Sequence, residues 1–563
     1  MKLLRLKINS EAGFRSLKKG FEVCFHQESD FEGMTSFSPF CLVGLNGCGK
    51  SNVLEALSQI FYHIELCVRS HLPQTIKNGE SFDSEKCVID AFELEYLVSD
   101  SVESELNKRD IFKVCIIKEE NKEPKMYKVS AYADKSKRIQ IPLKSLSEGK
   151  ALYAKKYLPQ YIVAYSSGEN ETLSIPFIKS RFIHLFEFKD AIVNNIKDYS
   201  SPENSLIYVD SNMSQAILLS CLLFESDLTL KSLASYDNTG ILNIKRFRIY
   251  LREEFFNDNT ESFFKFFKLQ DGLFDKLESC STLSWYDKDK KVYYFDFWVN
   301  DATKQAFKNH FHSAMECFQV FRLLYELNNY IVSSEKEVEV FCSKGVYTEE
   351  KLPVAGADND IFHFLDFYIT KQIDAHGHTE ELLLRQFSDG EHQFIHTMAI
   401  CLLLKDSESL ILLDEPETHF NPSWRSRFIS ILDETLRNGC NGLSHTSDYI
   451  NFMKEILITS HSPFIISDCN SKNVLILDKD DKGHTRTERA IDRNIKTYGA
   501  SIGYISAKIF DNTDTIGGKA YSEMQAMSQR TDLDKQQLME EISDSFGDSL
   551  EKLKILSSVN SRY

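Results

Sequence analysis

Apolar and polar positions alternate over Leu3–Ile8 and again over Phe21–Phe25, and Phe40–Val43 is an unbroken apolar run. A period of two predicts strands with one buried face, and a short continuous run predicts a strand buried on both. A glycine-rich stretch follows, and from Ser51 to about Cys67 the period lengthens to that of a helix. Val88–Val98 alternates again and predicts a further, antiparallel strand. Lys113–Ile117 and Lys125–Tyr132 read as a hairpin around the polar turn Glu119–Glu123. Leu158–Tyr165 reads as a strand running into the loop Ser166-Ser167-Gly168-Glu169.

The texture changes over residues 185–375. Aromatic pairs crowd this stretch, as in Phe255-Phe256, Phe263-Phe264 and Phe266-Phe267. Lys291–Val299 predicts a strand and Met315–Tyr330 an amphipathic helix. No heptad is sustained, and aromatics this dense do not fit the narrow seam of a long coiled coil. Residues 376–519 return to an α/β pattern: a helix after Gly390, then apolar strands at Leu410–Leu413, Ile456–Thr459 and Val474–Leu477, the last ending in the turn Asp478–Gly483. In the polar tail, residues 520–563, Leu538, Ile542, Phe546 and Leu550 fall at helix spacing, which predicts a docked helix pair or a partner surface. The chain thus divides into an N-terminal lobe (1–184), a mainly helical insertion (185–375), a C-terminal lobe (376–519) and a helical tail (520–563).

Composition narrows the class. At 563 residues, 42% hydrophobic and 26% charged, the chain is a multidomain globular protein and not a disordered or fibrous one. Its net charge of −17 makes it no general polyanion binder, so nucleic acid would be reached through partners or a local basic patch. Thirteen cysteines without a CxxC pair predict reduced thiols in a cytoplasm. The alternating start does not read as a secretory signal, and no apolar run is long enough to span a membrane.

Candidate chemistry sits at four places. Gly44-Leu45-Asn46-Gly47-Cys48-Gly49-Lys50-Ser51, between a strand and a helix, fits a phosphate-binding loop. Gly44, Gly47 and Gly49 let backbone N–H groups turn toward phosphate oxygens, Lys50 supplies a point charge for the β and γ phosphates of ATP, and Ser51 a hydroxyl for Mg²⁺. Leu410-Ile411-Leu412-Leu413-Asp414-Glu415 is an apolar strand ending in two acids; Asp414 suits a magnesium ion, and Glu415 a general base acting on water. Ser388-Asp389-Gly390-Glu391 opens a helix 26 residues before Asp414. Ser388 and the amide of Gly390 offer a second anion site there, while Ser388 with Glu391 also fits a simple capping box. One chain cannot readily bring both helix starts to one γ-phosphate, whereas a head-to-tail dimer can. His461, in Thr459-Ser460-His461-Ser462-Pro463, stands just past a strand, where it can sense a γ-phosphate.

These motifs, in this order, resemble the ABC-type ATPases, nearest the SMC, RecF, Rad50 and OLD-like branch. Gly49-Lys50-Ser51-Asn52, Asp414–His419 and Thr459–Phe464 carry the likeness. It implies an ABC-type ATPase head: a mixed β-sheet bearing the phosphate loop, with a flanking antiparallel β-region. It also implies ATP and Mg²⁺ as ligands. Nucleotide contacts would come from Gly44, Asn46, Gly47, Gly49, Lys50, Ser51, Asn52, Ser388 and Gly390, with Ser51 and Asp414 on the metal and Glu415 and His461 as catalytic residues. Glu417–Pro422 would be the D-loop, and Gln160 is the Q-loop candidate, although it precedes its strand. Asp389 stands where the family has glycine. The insertion without coiled coil, Thr418–Arg425 and Ser545–Ser549 are further similar to the PtuA family, ATPases of Septu-type and retron-associated antiphage systems. That likeness implies a bacterial cytoplasm, a separate HNH nuclease partner of the PtuB kind and, in the retron form, a reverse transcriptase with its RNA–DNA hybrid. A RecF-like repair ATPase and a nucleotide-binding scaffold without turnover are the alternatives.

Weaker features read as structure: His376-Gly377-His378 as a loop, Cys48 as a small loop residue, the Asp478, Asp480 and Asp481 cluster as a hairpin turn, and Lys135, Lys137 and Arg138 as a solvated face. No nuclease cluster is present in the sequence, so none of the predicted activity is nucleolytic.

Overall fold

The structure is a computed structural model that describes residues 1–27, 38–69, 72–73, 82–99, 111–130, 138–144, 153–168, 171–193, 204–210, 213–253, 272–329, 334–342, 360–440, 454–513, 515–530 and 532–562. The aromatic pairs at 255–267 and the lysines Lys135 and Lys137 lie outside the described residues.

At its centre is a seven-stranded sheet assembled from both ends of the chain. Its order is Thr485–Arg489, Val474–Lys479, Phe40–Val43, Glu455–Thr459, Ser409–Asp414, Tyr161–Ser166 and Leu206–Val209. All neighbours are parallel except the hairpin of the first two. The apolar runs are continuous because both faces are covered. Cys41, Val43, Ile411, Leu413, Ile456 and Ile458 enter one hydrophobic core, while Phe40, Leu42, Leu410, Leu412 and Leu457 enter the other.

The second of these cores is closed by the helix Lys50–Cys67, buried along nearly its whole length. A six-stranded antiparallel sheet of Lys2–Ile8, Glu22–Cys24, Phe92–Ser99, Ile111–Lys118, Lys125–Ser130 and Ile139–Ile141 lies beyond it. The predicted hairpin about residues 119–123 is present there. An α/β head with a mixed sheet, a phosphate-type loop and a flanking antiparallel sheet is thus the architecture observed.

The first core is closed by the helices Ser214–Phe224, Ala314–Glu326 and Asp389–Leu403, with a five-stranded antiparallel sheet packed against them. That sheet, ordered Leu283–Asp287, Val292–Trp298, Ile241–Arg252, Phe362–Gln372 and Thr379–Leu383, is a larger β component than the sequence suggested for this stretch. Its inner face is aromatic, with Phe247 and Phe297 stacked at 4.4 Å. The helix Glu171–Val193 runs across position 184, and Leu206–Val209 pairs with Tyr161–Ser166, so the head's main sheet draws a strand from beyond that position. The last strand of the five, Thr379–Leu383, leads directly into the helix start at Ser388.

The tail is three helices, Gly518–Ser528, Lys535–Ser545 and Leu550–Arg562, around a core of their own formed by Met524, Leu538, Ile542, Ile555 and Val559. The period through Leu538, Ile542, Phe546 and Leu550 does not form one helix. The chain turns extended at Phe546, and Leu550 opens the next helix, exposed. Glycine at 547, unfavourable in a helix interior, permits that break. Among the described residues no helix is long and apolar enough to cross a membrane.

Candidate functional site

The loop at residues 44–51 leaves the strand Phe40–Val43 and enters the helix that starts at Lys50. Gly44, Gly47 and Gly49 all hold positive φ, at 144°, 75° and 104°. A Cβ on Gly44 would sit 2.2 Å from the carbonyl oxygen of Leu477, and one on Gly49 2.5 Å from the hydroxyl of Ser16. Backbone is packed where side chains would otherwise stand, which is the cradle that a phosphate chain requires. Lys50 curls back over it: its Nζ donates to the carbonyl oxygens of Gly44 (3.3 Å) and Leu45 (3.4 Å). Asn46 is exposed at the apex, while Asn52 donates to Ser16 Oγ at 2.8 Å and so braces the loop from behind.

Two further strand ends converge here, because parallel strands deliver their carboxyl ends to one edge of the sheet. Ser51 donates to Asp414 Oδ1 at 2.9 Å, and Thr459 donates to the same oxygen at 2.6 Å. Ser51 and Asp414 therefore present oxygen ligands of the kind magnesium takes. Glu415 adopts a left-handed φ of 51°, an uncommon state for a non-glycine residue. It is held there by its N–H, which donates to Oγ1 (3.0 Å) and O (3.2 Å) of Thr459. Local strain of this kind is retained where the surroundings over-determine it, commonly at functional sites.

His461 completes the cluster. Its Nε2 lies 2.8 Å from Lys50 Nζ and 3.3 Å from Glu415 Oε1. One ring nitrogen thus faces a donor and an acceptor, and it can satisfy only one at a time. The hydrogen bond from His461 holds the Glu415 carboxyl below its ordinary value, with partial burial opposing. An ionised Glu415 beside a phosphate cradle is suited to accept a proton from water.

Ser388 caps the helix Asp389–Leu403. Its hydroxyl and amide both engage Glu391 Oε2, and Lys371 from the five-stranded sheet pairs with the same carboxylate. The capping box is real, and Ser388 is exposed rather than turned toward Lys50. Gly390 packs against the acidic loop: a Cβ there would lie 2.8 Å from the carbonyl oxygen of His419.

Gln160 is not brought to this site. Its amide pairs with Glu408 O at 3.0 Å, at the amino end of the strand Tyr161–Ser166, while Asp414 pairs with Ser166 at the carboxyl end. The six residue steps from Gln160 to Ser166 separate the two by roughly 20 Å at 3.3 Å per residue. The residue that does follow the strand, Ser167, donates its N–H to Asp414 O (3.1 Å), and its hydroxyl lies 3.0 Å from that of Thr418. Gln393 was also not legible in advance: it accepts from His419 N (2.9 Å) and reaches Glu415 O (3.5 Å), tying the helix begun at Ser388 to the acidic loop. Only its spacing, one turn beyond the helix start on the buried side, hinted at it.

The weaker features settle as structure. Asp480 and its neighbours form the hairpin turn between Val474–Lys479 and Thr485–Arg489. His376 and His378 sit in the turn between two strands of the five-stranded sheet, with His378 on Asp374. Burial pushes the Cys48 thiol up, away from reactivity. None of the cysteines in the described residues is in a disulfide.

Glu417 is the most deeply buried acid of the loop, and burial pushes its carboxyl up to about 7. An acid whose folded value exceeds its unfolded one near 4.5 contributes stability that is complete below 4.5 and lost as pH rises to 7. Glu417→Gln, neutral throughout, should become more stable than the wild type across that window, by up to about 3 kcal/mol, and the difference should level off above it. Urea denaturation of both proteins at pH 5 and pH 8 measures it.

Residues 226–467 match the protein family described as "AAA domain, putative AbiEii toxin, Type IV TA system". The matched stretch contains the helix at Ser388, the acids at 414–415 and His461, and leaves the loop 44–51 outside it. No curated protein matches the chain. Solved structures that match include an SMC head domain from Thermotoga maritima, at 10% identity over 87% of this chain and 99% of that one, with a TM-score of 0.29. Another is an Smc head bound to the C-winged helix domain of ScpA, at 10% identity, 86% and 96% coverage and a TM-score of 0.30. A third is an Smc head domain with a coiled coil and joint derived from Pyrococcus yayanosii, at 13% identity, 87% and 98% coverage and a TM-score of 0.28. Scores this low leave the site and its chemistry to be argued from this chain's own geometry.

Proposed function

We propose that the chain binds ATP with magnesium at the loop 44–51 and hydrolyses it. The observation that carries this reading is the convergence of Lys50, Ser51, Asp414, Glu415 and His461 at one sheet edge, within hydrogen-bonding reach of one another. Lys50 and the loop amides bind the phosphates, Ser51 and Asp414 hold the ion, and Glu415 takes the proton of the attacking water. Magnesium, when bound, neutralises phosphate charge. A γ-phosphate draws Lys50 away from His461, leaving Nε2 to face the phosphate and Glu415.

The helix start at Ser388 and Gly390 serves the nucleotide of a second copy in a head-to-tail dimer. Its support is that Ser388, although in a capping box with Glu391, is exposed at a helix start, while the chain's own phosphate loop has its own helix. Mixing tests the pairing. Lys50→Ala and Ser388→Arg should each be inactive alone. An equal mixture should regain about a quarter of wild-type turnover, since half the dimers are mixed and each has one intact site. Both variants folded, with no recovery on mixing, would overturn the dimer.

In the role we favour, residues 1–184 and 376–519, joined by the strand Leu206–Val209, form the head, the rest of 185–375 the insertion, and 520–563 a docking tail. The cycle holds or licenses a separate HNH nuclease of the PtuB kind in a bacterial antiphage system, the retron form adding a reverse transcriptase and its hybrid. The support is the sequence likeness at Thr418–Arg425 and Ser545–Ser549, together with the separate core of the tail, which makes it a module able to carry a partner. Purified chain should not cut nucleic acid unaided.

A further inference from the structure

The strand Glu455–Thr459 ends in three consecutive side chains that each fasten a different acid of the loop opposite. Thr459 donates to Asp414, Ser460 to Glu417, and His461 meets Glu415. The first and third of these acids belong to the chemistry already described; the second does not. Glu417 is 4% exposed, far more buried than a solvated loop acid needs to be. One of its oxygens accepts the Ser460 hydroxyl, and the other has no hydrogen-bond partner among the described residues.

An ionised carboxylate so placed costs more than the protonated acid, and in either form one oxygen can accept the Ser460 hydroxyl. Ser460 is itself saturated. Its hydroxyl donates to Glu417 and accepts the N–H of Ser462 at 2.9 Å, while its own N–H donates to Leu42 O at 3.2 Å in the neighbouring strand. The residues on either side of His461 are thereby pinned by one hydroxyl, and that hydroxyl is oriented by Glu417. Among the described residues the contacts of the His461 ring are Lys50, Glu415 and the ring of Phe510 at 6.0 Å. Its aim depends on the turn that carries it.

We propose that Glu417 is a positioning residue for hydrolysis, acting as the hydrogen-bond acceptor that holds Ser460 and through it sets His461 against Lys50 and Glu415. Arg425, in the helix Pro422–Cys440, donates to Glu417 O (3.3 Å) and Thr418 O (2.8 Å), so the backbone on which Glu417 stands is clamped to that helix. The Ser460–Glu417 contact, beside those of Thr459 with Asp414 and Glu415, joins that backbone to the turn carrying His461. This proposal rests on the ATPase reading for its kinetic consequence but not for its structural one.

The test compares Glu417→Ala, Ser460→Ala and Glu417→Gln in the full chain. The glutamine keeps an accepting oxygen, so it should retain kcat within about twofold, while both alanine variants lose about tenfold or more. KM should change little, because Lys50 and the phosphate loop are untouched. Deuterium exchange of the peptide covering 459–463 should accelerate in both alanine variants and remain at the wild-type rate in Glu417→Gln. Folded alanine variants with wild-type kcat and wild-type exchange overturn the proposal, as does a glutamine variant that behaves like alanine. If wild-type protein binds ATP without hydrolysing it, the ATPase reading fails, and the exchange pattern alone then upholds or overturns the coupling of Glu417 to the His461 turn.

Discussion

Glu415→Gln should bind ATP as tightly as the wild type and hydrolyse it about 100- to 10,000-fold more slowly, the range expected when a positioned general base is removed. The substitution preserves shape and leaves the accepting oxygen for His461, so the phosphate cradle, Lys50 and the Ser51–Asp414 pair stay as they are. What it removes is basicity, at a carboxyl that the histidine keeps ionised. Phosphate release under single-turnover conditions, set beside equilibrium binding of a fluorescent nucleotide, separates the two. Equal phosphate release by variant and wild type would mean that the protein is a nucleotide-binding scaffold, or that the base lies elsewhere.

Gly44→Ala should abolish nucleotide binding and lower the melting temperature, and Gly47→Ala should do much less. The two positions have similar sequence surroundings but different neighbours. At Gly44 a methyl group would lie 2.2 Å from the Leu477 carbonyl oxygen and 2.9 Å from Cys48 Sγ, and the former is backbone of a strand paired on both sides in the main sheet, which yields little. At Gly47 the nearest atom is the flexible end of Lys479 at 3.9 Å, so only the cost of a positive φ remains, about 1–3 kcal/mol. Calorimetric titration with ATP and thermal unfolding of the two variants read both effects. Equal behaviour at the two positions would show that the close approach to Leu477 does not shape the loop.

The sequence by itself determined the elements that carry chemistry. The glycines at 44, 47 and 49 announce backbone that must turn and approach closely, and the runs at 410–413 and 456–459 are apolar without interruption because both faces of a parallel sheet are covered. An acid or a histidine just past such a run must then lie at a sheet edge. The hairpin turn at 478–483 and the capping box at Ser388 were legible for the same reason, since each is a local contest between backbone and nearby side chains.

What the tertiary structure alone decided is everything that depends on which strands are neighbours. Gln160 and Asp414 lie on adjacent strands, yet parallel register sends them to opposite ends, a fact no local pattern contains. The five-stranded sheet was hidden because aromatic residues suit strands and buried helices alike, and only pairing partners far apart in the chain distinguish them. The tail, expected as a helix pair, is three short helices with a break at Phe546 inside the period Leu538–Leu550, because only packed together do they bury one small core. Gln393, Ser460 and Glu417 escaped for a related reason. Their roles are contacts across 26 and 43 residues of chain, and a polar side chain aimed inward reveals its purpose only when its partner is in place.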